Sequence, residues 1–183
     1  MHTGKWTEEI DKITAGFRSE FGSLTAEELN WKPNPDKWSI GQIIDHLIVI
    51  NSTYYPTFDQ LKNNTYKVPF PGRFDFYTNM MGSLILKSVL PETTRKTKTF
   101  PIWQPTQSNI DADILEKFAS AQEVLKQRIE ENTTRLDERT VISSPANKNV
   151  TYKLETAFDI IVAHEKRHFN QAKELKALMK NEG

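Results

Sequence analysis

Cysteine is absent from this 183-residue chain. Its absence excludes disulfide bonds, thiolate metal sites and a cysteine nucleophile, and it agrees with a reducing, cytoplasmic location. Any metal ion in this protein must therefore be held by nitrogen and oxygen atoms.

An excess of either charge is also missing, because 24 Lys and Arg residues balance 24 Asp and Glu residues. No overall electrostatic field draws such a chain toward nucleic acid or an anionic membrane. The short basic run at 95–98 is isolated, and we interpret it as a solvated loop. We therefore predict that the partners of this protein include neither nucleic acid nor a membrane.

Long apolar runs are likewise lacking. The most apolar stretch, residues 40–50, contains Gln42, Asp45 and His46 and is much shorter than the roughly 20 apolar residues that a membrane span requires. The N-terminus becomes acidic without a basic start followed by an apolar stretch, so we expect no signal peptide. These features predict a cytoplasmic protein without a transmembrane segment.

Apolar residues recur at steps of three and four in four stretches of the chain, which predicts four main helices. Thr7 is suited to cap the first helix, Ser39 the second, and Ser108 or Asp111 the third. Pro56 predicts a kink or break in the second helix. The predicted ranges are 7–21, 39–63, 108–132 and 151–179.

A long connection, residues 65–109, joins the second and third main helices. Five prolines interrupt it, and only 79–90 has a helical pattern, although short pieces of strand remain open there. Residues 133–149 are predicted as a polar loop. The pattern therefore predicts an all-α fold, a four-helix bundle with a long crossover connection, in a single domain spanning residues 1–183. We expect the connection to cover the mouth of the bundle.

Two histidines of the last helix lie on the rows of apolar residues predicted to face the core. His164 and His168 are four residues apart, so their side chains stack on one helical face. His46 shares the inward face of Ile43 and Ile50 in the second helix. A lone buried histidine is more often just hydrogen-bonded, but three that converge favour a metal site. We predict one divalent transition metal, zinc or nickel, on His46, His164 and His168.

The segment from His164 to His168 also matches the H-E-x-x-H string of zinc proteases. Only fifteen residues follow His168, and the H-x-x-G-x-x-H extension of one protease class is missing. We therefore do not favour a protease. For Glu165, bundle geometry favours exposure to solvent over a role as a base beside the metal.

Other polar residues near the histidines are harder to interpret. Gln171, one turn after His168, is either a hydrogen-bond donor to a ligand or bound water, or a polar residue within a core layer. Asp45 precedes His46, and a solvated helix face is favoured over a bond to a neighbouring histidine. We interpret three tryptophans as packing residues rather than as platforms for substrate stacking: Trp31, Trp38 and Trp103.

Three segments together resemble the DinB-like superfamily, which includes the YfiT-type metal-dependent hydrolases: WSIGQIIDHL at 38–47, HEKRHFNQ at 164–171 and the connector LNWKP at 29–33. The resemblance spans most of the chain, although 51–109 matches only loosely. It implies a four-helix bundle with a site for nickel, zinc or a similar ion, and its motif histidines coincide with His46, His164 and His168. Members of this superfamily include thiol-dependent transferases and isomerases, so the resemblance defines the site better than the reaction.

These observations predict a metal-dependent enzyme, either a hydrolase that uses metal-activated water or a thiol-dependent S-transferase. Its substrate would be a small molecule, and a low-molecular-weight thiol would be its partner in the second case. The alternative is a non-catalytic metal-binding or ligand-binding bundle, which a fourth protein ligand would favour. The pattern shows no fourth ligand at matching helical phase, assigns no other catalytic residue and leaves a homodimer open.

Overall fold

The computed structural model describes residues 4–93, 99–136 and 139–182. Within them, seven α-helices, one β-hairpin and three short 3-10 turns make up the regular structure. The α-helices are α1 (Gly4–Phe21), α2 (Ala26–Asn30), α3 (Ile40–Ser52), α4 (Tyr55–Lys62), α5 (Asp75–Val89), α6 (Ile114–Glu131) and α7 (Leu154–Glu182). The strands are β1 (Val141–Ser144) and β2 (Asn147–Lys153), and the 3-10 turns are Phe70–Arg73, Pro101–Trp103 and Thr133–Arg135.

Helices α1, α3, α6 and α7 form a four-helix bundle, which confirms the predicted fold class. Helices α1 and α3 each pack against both α6 and α7, so the first two helices of the bundle lie diagonally opposite each other. The long crossover between α4 and α6 carries α5, which packs on β2 and α7. Among the described helices, none combines the length and apolar character that crossing a membrane requires.

Aromatic side chains join three helices of the bundle near its centre. The ring of Phe17 on α1 lies 4.9 Å from Phe118 on α6 and 5.0 Å from Phe169 on α7, measured between centroids. Phe17 and Phe118 are almost fully buried. Because each such side chain stabilises the fold by about 1.5–3 kcal/mol, this packing holds the orientation of α7 about its own axis. That orientation decides which α7 residues face α3.

Reciprocal hydrogen bonds set the start of α3. The Ser39 hydroxyl accepts from the Gln42 backbone N–H at 3.1 Å, and the Gln42 side chain accepts from the Ser39 N–H at 3.3 Å. This capping box confirms Ser39 as the predicted N-cap. The predicted break is also confirmed, since α3 ends at Ser52 and α4 begins at Tyr55, with Pro56 in its first turn, where a missing N–H costs nothing.

Two predicted helix caps, and the helix starts that they implied, are wrong. Helix α1 begins at Gly4, and the Thr7 hydroxyl lies inside it, donating to the Gly4 carbonyl at 3.2 Å. Helix α6 begins at Ile114, after Asp113, which makes no capping bond with its side chain. The carboxylate of Asp111 instead meets the Lys117 ammonium at 3.1 Å, and an ion pair at this position replaces the expected cap.

The segment predicted as a polar loop after α6 contains the hairpin instead. Strands β1 and β2 are antiparallel, with Ile142 opposite Tyr152, and both side chains are buried. Most other residues of the hairpin are polar or exposed, which hid the alternation expected of strands. Because β2 continues to Lys153, α7 begins at Leu154 rather than at 151.

The long connection is more helical than predicted, because α5 begins at Asp75 rather than at 79. Its inner face packs at Gly82, where a Cβ atom would lie 3.1 Å from side-chain atoms of Tyr152 and of Thr156. A side chain at position 82 would require these neighbours to shift, so glycine favours the close approach of α5 to the hairpin and α7. The strand pieces left open for this connection are not found in its described residues.

Candidate metal site

Three histidine side chains from two helices of the bundle meet between α3 and α7. One ring nitrogen of each of His46, His164 and His168 lies within 4.8 Å of the others. The ring centroids are 5.2 Å apart for His46 and His164, 4.8 Å for His46 and His168, and 4.4 Å for His164 and His168. The structure thus brings together all three residues that the sequence selected.

The spacing of the two α7 rings fits a shared ion. The Nε2 atoms of His164 and His168 are 3.1 Å apart. Two nitrogen atoms bound to one tetrahedral zinc ion at about 2.0–2.1 Å would be separated by about 3.3 Å. Neither ring therefore has to move substantially to share an ion.

A backbone carbonyl orients the third ring. The Nδ1 atom of His46 lies 2.5 Å from the carbonyl oxygen of Trp103. A carbonyl oxygen only accepts hydrogen bonds, so Nδ1 carries the proton and Nε2 keeps its lone pair. This is the tautomer that a histidine needs to bind a metal through Nε2.

Burial keeps the three imidazoles neutral. It lowers the pKa of His168 to about 3 and that of His164 well below its usual value, with repulsion between the rings as a further cause. Burial also lowers the pKa of His46, although the Trp103 carbonyl and the charge of Asp45 oppose that change. Since neutral imidazole is the form that binds metal, no proton has to be displaced near pH 7.

The side chain of Trp38 lies beside the histidines. The ring of Trp38 lies 4.9 Å from His46 and stacks near His168 at 6.5 Å with an interplanar angle of 23°. The Trp38 ring therefore packs against His46 and lies beside His168. The structure thus agrees with the predicted packing role of Trp38 and adds that its ring forms one wall of the site.

Residues 101–107 of the long connection, which we call the strap, lie across α3. The Trp103 indole N–H donates to the Thr53 hydroxyl at 3.2 Å. The backbone N–H and the hydroxyl of Thr106 both donate to one carboxylate oxygen of Asp45, at 2.6 and 2.9 Å. The Gln42 side chain donates to the carbonyl of Gln107 at 3.0 Å. The connection therefore covers the α3 side of the site.

The strap also explains why the interpretation of Asp45 was wrong. Asp45 is only 9% exposed and is not part of a solvated face, because Thr106 covers it. The two residues are 61 positions apart. A residue this distant in the chain leaves no signal in the helical pattern around Asp45.

Glu165 is also placed differently from the prediction. Its side chain is fully buried, and its two carboxylate oxygens accept from Asn51 at 2.6 Å and from Gln122 at 2.9 Å. Burial raises its pKa to about 7, while the two amide donors oppose the rise. Solvent exposure is wrong for Glu165 because its side chain reaches the interior of the bundle, where α3 and α6 supply hydrogen-bond donors.

Glu165 nevertheless does not belong to the histidine cluster. In the described part of the chain, the cluster consists of the three histidines without a carboxylate. The carboxylate is engaged by two amides, so it is not placed as a base in the manner of the H-E-x-x-H proteases. The geometry thus agrees with setting the protease aside.

The outer part of α7 departs from its predicted core rows. Gln171 is exposed rather than part of a core layer, although its side chain near His168 slightly opposes the fall in that pKa. Leu178, also predicted on a core row, is 49% exposed. The last two turns of α7 therefore extend beyond the well-packed part of the bundle.

The basic run at 95–98, which we interpreted as a solvated loop, lies outside the described residues.

Sequence reasoning missed three contributors to this region. Gln122 follows Phe118 by four residues and precedes Leu125 by three, so it is a polar residue at core phase that could have been found. Asn51 follows Leu47 by four residues and carried the same signal. The Trp103 carbonyl could not have been found from the sequence, since every residue has a backbone carbonyl.

The fold and the site together define a class of proteins. Its features are a helical bundle, a long crossover connection and three histidines that converge between two helices. The chain matches the family model of the DinB superfamily over residues 9–172, and it belongs to this family. It is 26% identical over 158 residues to the uncharacterized protein YuaE of Bacillus subtilis (strain 168), covering 86% of this chain and 89% of that protein.

A solved structure shares the fold. YfiT from Bacillus subtilis, described as a probable metal-dependent hydrolase with an unusual four-helix bundle topology, superposes with a TM-score of 0.66. The alignment covers 97% of this chain and 87% of that chain, at 18% sequence identity. This likeness supports the bundle and its order of helices.

Proposed function

We propose that this protein is a metal-dependent hydrolase of small molecules that holds one zinc or nickel ion on His46, His164 and His168. The observation that carries the proposal is the convergence of three neutral imidazoles without a fourth protein ligand among the described residues. A site of three ligands leaves a position for a reactant, whereas a structural site is closed. The description of YfiT as a probable metal-dependent hydrolase supports the same reaction class.

The ion would supply the chemistry, because three neutral ligands leave its double charge intact and it then lowers the pKa of a coordinated water or thiol. The protein's own residues supply binding and orientation. His164 and His168 present Nε2 atoms from one helical face, and the Trp103 carbonyl keeps the His46 proton on Nδ1. Trp38 packs against the rings and limits the approach of solvent from its side.

A protein nucleophile is not part of this proposal. The chain has no cysteine, and the carboxylate of Glu165 is occupied by Asn51 and Gln122. A thiol as reactant, as in an S-transferase, would therefore have to come from a second small molecule. We propose a single domain over residues 1–183 and a cytoplasmic location, which the absence of cysteine supports.

The test begins with protein purified without a nickel column. Elemental analysis should find about one zinc or nickel ion per chain under metal-replete conditions. Screens for ester hydrolysis and for thiol-adduct formation should then give an activity that chelation abolishes and metal restores. His164→Ala should remove that activity, while Glu165→Gln should reduce it less. An activity that survives complete metal removal would reject the proposed mechanism.

A further inference from the structure

We propose that the strap is a positioning element for His46, and that closure of the strap and metal binding stabilise each other. This inference rests on the proposed function only in requiring that the histidines bind an ion; it does not depend on the reaction. It rests on four hydrogen-bonded contacts that the strap makes, three to α3 and one to Thr53 just after it, and one of the four is made to a candidate ligand.

The contact with His46 gives the strap its effect on the site. His46 lies on a rigid helix, but its ring can rotate and its proton can sit on either nitrogen. The Trp103 carbonyl at 2.5 Å from Nδ1 selects one ring orientation and one tautomer. When the strap is open, part of the His46 population would carry its proton on Nε2 and be unable to bind through that atom.

The position of that carbonyl depends on side chains of α3. The strap contains only one 3-10 turn, so regular secondary structure does not hold it in place. Asp45 instead accepts two hydrogen bonds from Thr106, and the ionised acceptor strengthens both. Because Asp45 precedes His46, the residue that fastens the strap and the ligand that the strap orients are neighbours on one helix.

Further contacts fasten the strap on both sides of His46 along α3. Gln42, one turn before His46, donates to the carbonyl of Gln107, and Thr53, just after the end of α3, accepts from the Trp103 indole. Pro105 lies between these two strap residues and Pro101 precedes them, and both prolines restrict the backbone, so closing the strap costs less conformational entropy. The strap therefore behaves as one unit that is either fastened to α3 or released from it.

Thermodynamic linkage turns this geometry into a measurable coupling. If the fastened strap raises metal affinity by some factor, the metal must favour the fastened strap by the same factor. Loss of a partner that orients a metal-binding histidine typically costs about 10- to 100-fold in affinity. We expect an effect of this size when the bonds between Asp45 and Thr106 are lost.

The experiment compares three variants by zinc competition against a chromophoric chelator. Asp45→Ala removes both bonds to Thr106 and should weaken zinc binding by about 10- to 100-fold. It also removes a negative charge near the site, so Thr106→Val, which changes no charge, is the decisive variant and should weaken binding several-fold. The matched control is Asp159→Ala, which removes a carboxylate that accepts from the Trp6 indole at 2.8 Å and lies on a different face of α7 from His164 and His168. Zinc affinity of the control should stay within about twofold of wild type.

Two further measurements report on the strap itself. Zinc should slow hydrogen exchange of the Thr106 amide, which donates to Asp45, and should do so less in Thr106→Val. In metal-free protein, nitrogen-15 NMR should find the His46 proton on Nδ1, and Asp45→Ala should yield a mixture of tautomers. A role in folding alone would change neither the tautomer nor the response to zinc.

The outcomes separate this inference from the proposed function. Zinc binding with unchanged affinity in Thr106→Val and Asp45→Ala would overturn the coupling and leave the metal site standing. Zinc binding with coupled strap exchange but no metal-dependent activity would overturn the proposed reaction alone. A wild-type protein that binds no zinc or nickel would overturn both.

Discussion

His164 and Glu165 are neighbours in sequence on α7, and they belong to two polar layers with opposite properties. The carboxylate of Glu165 is fully supplied with hydrogen-bond donors by Asn51 and Gln122. His164 instead meets His168, nitrogen to nitrogen, with His46 beside them. A carboxylate layer that the protein satisfies internally braces the bundle, whereas three imidazoles that converge nitrogen to nitrogen form a set of ligands that an ion can share.

The largest effect should come from removing a ring of the histidine layer. We expect His168→Ala to weaken binding of zinc or nickel by more than about 100-fold, because a direct ligand contributes more than the groups that orient it. His2→Ala is the control, since His2 is the remaining histidine of the chain and is none of the three predicted ligands. Equilibrium competition with a chelator measures both affinities. If the two variants retained metal equally, His168 would not be a ligand and the histidine layer would not be a metal site.

Substitutions in the layer of Glu165, Asn51 and Gln122 should change the stability of the protein rather than its metal binding. Glu165→Ala leaves the buried amides of Asn51 and Gln122 without their acceptor, and we expect the free energy of unfolding to fall by about 3 kcal/mol. Glu165→Gln keeps one acceptor and should cost roughly 1 kcal/mol. Urea unfolding of the metal-free proteins gives these values. A large loss of zinc affinity with little change in stability would show that Glu165 serves the metal instead.

The contrast between the layers also shows where sequence reasoning succeeds. The inward direction of His46, His164 and His168 follows from steps of three, four and seven residues along single helices. Such periodicity is local, so helical phase alone selected all three. The bundle and its crossover were predictable for the same reason, and Ser39 was predictable as the N-cap of α3.

The errors concern partners that are distant in the chain. Gln122 is 43 residues from Glu165, and Thr106 is 61 residues from Asp45. Helical phase placed Glu165 and Asp45 near the edge of a helix face. Whether a side chain at such an edge is buried depends on which other element covers it. A polar residue at core phase, such as Gln122, is the only local hint of such a layer. The hairpin was missed because its strands bury few apolar side chains.

The smallest predicted effect concerns a phenol beside the satisfied layer. The pKa of Tyr55 is raised to about 12 by burial first and then by the Glu165 carboxylate, with Arg128 opposing. Tyr54 has a pKa also raised to about 12, but its causes are burial and, in opposition, its bond to Tyr152. The two adjacent tyrosines therefore form a matched pair, of which only Tyr55 senses the charge of Glu165.

Removing that charge should lower the pKa of Tyr55 and leave that of Tyr54 unchanged. Because the folded pKa of about 12 exceeds the unfolded value near 10, Tyr55 loses its favourable contribution as pH rises from about 10 to 12. Tyr55→Phe should therefore lose less stability than wild type between pH 9 and pH 11. Glu165→Gln should shift the onset of phenolate absorbance near 295 nm to lower pH, and this shift should vanish in a Tyr55→Phe background but persist with Tyr54→Phe. If it vanished instead with Tyr54→Phe, the field of Glu165 would reach beyond its own layer, and the separation of the two layers along α7 would be wrong.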